Sequence, residues 1–140
     1  MSAIRLAELR DGPLSVDEVL SAVQDPAAGG IALFTGVVRD HDHGRGVVRL
    51  SYSAHPSAGA ELRRVAEKVA AGFGALAVAA VHRTGELAVG ELAVLVAVSC
   101  AHRGEAFDAC RALIDELKAT VPIWKHQEFG DGESEWVNSA

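Results

Sequence analysis

The amino-acid sequence predicts an α+β fold, with a mainly antiparallel sheet and about three helices in one domain spanning residues 1–140. Three observations carry that expectation. Short apolar runs bounded by Gly, Pro and Asp recur along the chain, as strands require. Two longer segments instead repeat apolar residues at helical spacing. No internal repeat, low-complexity stretch or linker interrupts them, and 140 residues suit a single hydrophobic core. Only two Trp, one Tyr and four Phe are present, so Val, Leu, Ile and Ala must build that core.

Taken in order, Ile4, Leu6 and Leu9 flank charged residues in a short first strand. Ser15-Val16-Asp17-Glu18 fits a capping box and opens a helix of about Val16 to Val23, which ends in the breaker stretch Asp25–Gly30. Ile31 to Val38 reads as a buried strand, and Val47 to Ser53 as a second, with Arg39–Gly46 as a long hairpin loop between them. Pro56-Ser57 starts the next helix, where Leu62, Val65, Ala66, Val69 and Phe73 form one face and Gly72 and Gly74 end it. Leu76–His82 and Leu92–Cys100 are further strands; the latter is apolar on both faces and so central in its sheet. The last helix runs from about Glu105 to Thr120, with Phe107, Cys110, Leu113, Ile114, Leu117 and Val121 as its buried stripe. Pro122 stops it, because the residue before a proline is pushed out of the α region. Ile123–Phe129, a Gly130-Asp131-Gly132 turn and a strand around Trp136-Val137 follow.

The formal net charge of −6 argues against a nucleic-acid binder, which needs a dominant basic surface. Met1–Arg5 lacks the apolar stretch of a signal peptide, and no segment reaches the length of a membrane span, so the cytoplasm is the expected location. Cys100 and Cys110 are no disulfide framework and read as buried, inert thiols.

Four constellations carry potential chemistry. Lys118 and Lys125 flank a proline-terminated helix end, a reversal that can bring two ammonium groups together and lower their pKa values. The plainer alternative is a solvated face, with Lys118 beside Arg111 and Asp115. Ser99-Cys100-Ala101-His102-Arg103 joins a buried strand to a helix N-terminus, which favours anions; alternatively His102 caps or packs and Arg103 is a surface charge. Asp40-His41-Asp42-His43 invites a metal reading that His55, His82 or His126 could complete, but it equally fits ordinary polar turn chemistry. Arg39, ending a buried strand after Phe34-Thr35-Gly36, suits bidentate binding of phosphate or carboxylate.

These segments together resemble a known family. Phe34-Thr35-Gly36-Val37-Val38-Arg39, followed by His41, resembles the F-T-G-x-V-R-x-H/N segment of the large, catalytic subunit of molybdopterin synthase. His82-Arg83-Thr84-Gly85-Glu86-Leu87 resembles its H-R-x-G-x-L, and Ser99–Arg103 with Ala106-Phe107 its H-R-x-x-A-F. Asp115-Glu116-Leu117-Lys118 and Pro122-Ile123-Trp124-Lys125 resemble its D-x-L-K and P-I/F-W-K. The four matches lie in order and cover most of residues 31–137.

The resemblance implies an α/β hammerhead fold and a sulfurtransferase. Such an enzyme converts cyclic pyranopterin monophosphate to molybdopterin, with sulfur arriving as a thiocarboxylate on the C-terminus of a small ubiquitin-like partner. It implies a homodimer within a heterotetramer, and no metal or redox cofactor of its own. It further implies that Lys118 and Lys125 are catalytic, that Arg39, His102 and Arg103 surround the anionic substrate, and that Phe34 lines the pocket. One departure stands out: where relatives carry an acidic residue two places after the second lysine, this chain has Gln127, with Glu128 one place later. For Glu128 to serve instead, its strand must bulge or shift. The remaining alternatives are a non-catalytic binding module for an anionic metabolite or protein tail, and a metal-dependent hydrolase using His41 and His43.

Overall fold

Strand β1 (Ile4–Arg10) opens the chain, and Arg10 donates to both Glu8 and Glu18, tying it to the first helix. That helix, α1 (Val16–Ala22), starts where expected: the Ser15 hydroxyl accepts from the Glu18 amide at 3.2 Å. The computed structural model describes residues 2–137. The remaining elements are β2 (Gly30–Val37), β3 (His41–Asp42), β4 (Arg45–Ala54), α2 (Ala58–Phe73), β5 (Ala77–Arg83), β6 (Gly85–Leu87), β7 (Leu92–Cys100), α3 (Arg103–Thr120), β8 (Ile123–Phe129) and β9 (Ser134–Val137).

Two sheets share the core. The first has strand order β1-β5-β7-β2, with β1 parallel to β5 and the other pairs antiparallel. Alternation along β5 and β7 divides their side chains between its two faces. Ala77, Ala79, Val81, Leu95 and Ala97 pack with Val19 of α1 and Val23 just after it. Val78, Ala80, Val94, Val96 and Val98 pack against Leu62, Val65 and Val69 of α2 and Leu113 and Leu117 of α3. Burial on both faces makes β7 the interior strand its composition predicts. The second sheet runs β3-β4-β8-β9, with β6 also on β4, and sends Leu50, Tyr52, Leu87 and Ile123 into the α2–α3 core.

Three expectations need correction. The Ile31–Val38 run forms a strand but not a buried one: β2 is the last strand of its sheet, and Ile31, Phe34 and Val37 are exposed. An apolar run is common to interior strands and to edges, so composition does not separate the two. The Arg39–Gly46 segment is not a hairpin loop between β2 and β4, which belong to different sheets. It carries the chain across and makes its own small hairpin, β3–β4, whose turn residues His43 (φ 51°) and Gly44 (φ 79°) are both left-handed, as a two-residue turn demands. Phe107, finally, is 65% exposed rather than part of the buried stripe of α3. Ala106, Ala109, Cys110, Leu113, Ile114 and Leu117 carry that stripe instead.

Candidate active site

The end of α3 and the start of β8 bracket a single turn. Val121 leaves the helix in an extended conformation, Pro122 follows, and β8 runs back antiparallel to β4, setting Lys125 opposite Tyr52. Lys118 on the last turn of α3 therefore faces the same space as Lys125. The cavity between them holds about 330 Å3 and is also lined by Phe34–Arg39, Asp42, Tyr52, His82, Val94 and Gln127. At Gly36 the β2 backbone passes so close to β7 that an added Cβ would collide with the Val94 side chain.

Charge in this cavity is predominantly positive. Desolvation lowers the pKa of Lys118 below its usual value, and the nearby Lys125 charge lowers it further. The Lys118 residue as a whole is exposed, although it also lines the cavity. Arg39 stands at the rim with its side chain 65% exposed, and its Nη2 lies 3.4 Å from Asp42 Oδ1. It is thus an exposed guanidinium paired with Asp42 rather than one held firmly by a buried strand.

Gln127, which is 3% exposed, occupies the position where the family resemblance expects an acid. Its amide nitrogen donates to Asp42 Oδ2 at 2.9 Å and to Glu135 Oε1 at 2.8 Å, so one neutral side chain joins two carboxylates. That donor holds the Asp42 carboxyl below its usual pKa, with further help from His43, Lys125 and Arg39. Glu128 does not take over. The β4–β8 register is unbroken from Arg49–Glu128 to Ala54–Ile123, so alternation turns Glu128 away from the face that carries Lys125 and Gln127. Acidity beside the lysines comes from Asp42 on the β3 hairpin, a contact no local sequence signal announces.

His102 and Arg103 lie elsewhere. They line a separate depression with Gly29, Ala101 and Gly104 at the start of α3. Fifteen residues of helix separate Arg103 from Lys118, roughly 22 Å along the axis. His102 occupies the N-cap position without a side-chain capping bond. Within one chain, then, Lys118, Lys125, Arg39 and Phe34 converge, while His102 and Arg103 sit at the opposite end of α3. Cys100 and Cys110 are buried free thiols, with burial raising both pKa values, that of Cys110 to about 11. Among the described residues, no three His, Cys, Asp or Glu side chains group so as to hold a metal ion; His41 pairs with Asp40 and His43 approaches Asp42.

Sequence reasoning did not assign roles to His82, Tyr52 and Asp42 in this cavity. For His82 a signal existed: a polar residue near the end of a strand buried at all seven positions.

The cation-lined cavity lies between strands of two sheets and the end of α3, an arrangement suited to a small anion. The comparisons with known proteins narrow the class. A family model described as MoaE protein matches residues 9–120, and the chain belongs to that family. The molybdopterin synthase catalytic subunit 1 of Mycobacterium tuberculosis is 48% identical over 130 residues, covering 92% of this chain and 88% of that protein. The molybdopterin synthase catalytic subunit of a Nostoc species is 41% identical, over 90% of this chain and 78% of its own. Among solved structures, molybdopterin synthase from Staphylococcus aureus superposes with a TM-score of 0.87 at 30% identity, covering 98% of both chains. A complex of subunits 1 and 2 of molybdopterin-converting factor from Helicobacter pylori contains the same fold, with a TM-score of 0.73 at 20% identity over 97% of this chain and 90% of that one.

Proposed function

We propose that this chain is the catalytic subunit of a molybdopterin synthase, transferring sulfur from the thiocarboxylated C-terminus of a small ubiquitin-like subunit to cyclic pyranopterin monophosphate. The observation that carries this reading is the convergence of Lys118, Lys125 and Arg39 on one cavity of about 330 Å3. A phosphate ester and a thiocarboxylate both bring negative charge, and three cations in a partly desolvated site answer it. Family membership supports the same activity.

The two lysines divide the work by environment. Lys118 gives up its proton more readily than an ordinary lysine, because desolvation and Lys125 both disfavour its charged form. The anionic thiocarboxylate sulfur bonds to a pterin carbon in place of an oxygen substituent. The neutral Lys118 amine takes the proton of the water that then attacks the acyl carbon, breaking the acyl C–S bond to leave sulfur on the pterin and a carboxylate on the small subunit. Lys125, held beside Tyr52 in β8, stays to stabilise the oxyanion that develops at the acyl carbon. Phe34 supplies an apolar wall, and Arg39 gathers the phosphate at the rim.

A second copy of the chain completes the site in this reading. Among the described residues β2 has a neighbour on one side only, and Ile31, Phe34 and Val37 are exposed on it. Phe34 also borders an apolar groove with Leu33, Phe107 and Ile114. If two β2 edges pair antiparallel about a twofold axis, the Phe34–Arg39 end of one copy meets the Gly30 end of the other. Gly30 abuts the backbone of Arg103. His102 and Arg103 would then reach the neighbouring cavity as further phosphate ligands. Each copy would also seat one small subunit, giving a heterotetramer, and the expected setting is the cytoplasm; among the described residues, no helix is long and apolar enough to cross a membrane.

The test is reconstitution with a thiocarboxylated small subunit and cyclic pyranopterin monophosphate. Lys118→Ala and Lys125→Ala should each slow molybdopterin formation by roughly a hundredfold or more. Normal rates in both variants would show that the assigned active site is wrong.

A further inference from the structure

A polar atom of one cavity-lining residue has no hydrogen-bond partner among the described residues. His82 follows Val78 and Ala80 on the face of β5 that meets α2 and α3. It is 1% exposed, yet it lines the cavity. Its Nδ1 lies 2.7 Å from the carbonyl oxygen of Arg83. A carbonyl only accepts, so Nδ1 carries the hydrogen and Nε2 carries the lone pair. That buried Nε2 has no hydrogen-bond partner among the described residues. Tyr52 packs against the ring edge-on, with centroids 4.7 Å apart at 89°, and fixes its plane.

An unpaired buried acceptor is costly, and one kept beside a cavity is placed to receive a donor. The donor cannot be an anionic oxygen, whose lone pairs would face that of Nε2. Nor does the imidazole charge easily to accept an anion, since burial pushes its pKa down to about 4. The remaining wall is the reverse: Lys118, Lys125 and Arg39 favour anions. The cavity is therefore polarised, cationic around its walls and rim and a neutral acceptor at His82.

We propose that His82 Nε2 accepts a hydrogen bond from a ring N–H or hydroxyl of the substrate's heterocycle, orienting a phosphorylated heterocycle with its phosphate toward the cations and its donor edge toward β5. This rests on the function proposed above and adds to it the direction in which the substrate lies.

Calorimetric titration of the intact protein with cyclic pyranopterin monophosphate, and separately with inorganic phosphate, tests it. His82→Asn keeps an amide donor where Nδ1 stood but has no atom at Nε2, whereas His82→Gln returns an acceptor near Nε2. The Asn variant should bind the pterin roughly tenfold more weakly with phosphate affinity unchanged, and the Gln variant should recover most of the loss. Unchanged pterin affinity in His82→Asn, or a matching fall in phosphate affinity, would overturn the proposal. So would a loss that vanishes in a Lys118→Ala background, because the donor would then be the lysine. A measurement on the unaltered protein guards against a misfolded variant: with 15N-labelled histidine, pterin binding should shift the His82 Nε2 resonance, and an unmoved resonance would refute the contact. Unaltered protein that binds phosphate but never the pterin would instead overturn the functional reading before any variant is made.

Discussion

His82 is where a single residue most affects the behaviour of the whole. Its pKa is about 4 in the folded protein against an ordinary value of 6.5, chiefly because burial penalises the charged ring. The unfolded chain therefore binds a proton in that interval that the folded chain refuses. The contribution of His82 to stability is full above pH 6.5, falls as pH drops from 6.5 toward 4, and levels off below. The total loss is on the order of 3 kcal/mol. Denaturant titrations at pH 7.5 and pH 4 should show the unaltered protein losing about that much more than His82→Asn over the same interval; equal losses would refute the assignment. Tyr52 beside it is also kept neutral, its pKa raised by burial to about 12. Lys118 moves in the direction useful to chemistry, its neutral amine becoming available below the usual lysine range. The residue types at these positions are plain in the sequence. Their shifted titration is not, because desolvation depends on neighbours from β4, β5 and α3 at once.

Among the elements, β2 and the start of α3 come into backbone contact, with Gly30 against Arg103. The Gly29 amide donates to Cys100 at 3.0 Å, and any Cβ at Gly29 would collide with the Ala101 carbonyl. That obstacle is backbone, so it cannot rotate aside as a long side chain could. Gly29→Ala should destabilise the fold by about 1–3 kcal/mol and shift the strand–helix junction that carries His102 and Arg103. Urea unfolding checks the first effect, and weaker binding of inorganic phosphate in a refolded sample checks the second. Helices α1 and α2 followed directly from local chemistry: Ser15 caps one, and Gly74 (φ 61°) ends the other in a left-handed conformation. Strand neighbours did not follow. Pairing is a contact between distant segments, and an apolar strand carries no mark of which sheet it will join.

For the whole molecule, the separation of His102 and Arg103 from the lysines makes assembly testable through function. If one site draws on two copies, Lys118→Ala and Arg103→Ala proteins are each defective alone, yet mixed subunits can regain activity. After equal mixing and exchange, half the dimers are hybrids, and each hybrid holds one site with both residues intact. Molybdopterin formation should return to roughly a quarter of the normal rate. No recovery, with exchange verified by mass spectrometry, would mean that each chain works without residues from its neighbour.

The sequence by itself determined the inventory: an acidic α+β chain, helices bounded by readable caps and breakers, and Lys118, Lys125, Arg39, His102 and Arg103 in motifs of a recognisable order. Those are local properties, written in spacing and residue type. The tertiary structure alone decided which of them meet. It brought Lys118, Lys125 and Arg39 around one cavity, turned Glu128 away, and set Asp42 and His82 beside the lysines from strands far off in sequence. It also set Arg103 and Lys118 fifteen residues apart on the eighteen-residue helix α3. Convergence of charges depends on long-range strand pairing and on the length of a rigid helix, and neither is encoded at the positions that carry the charge.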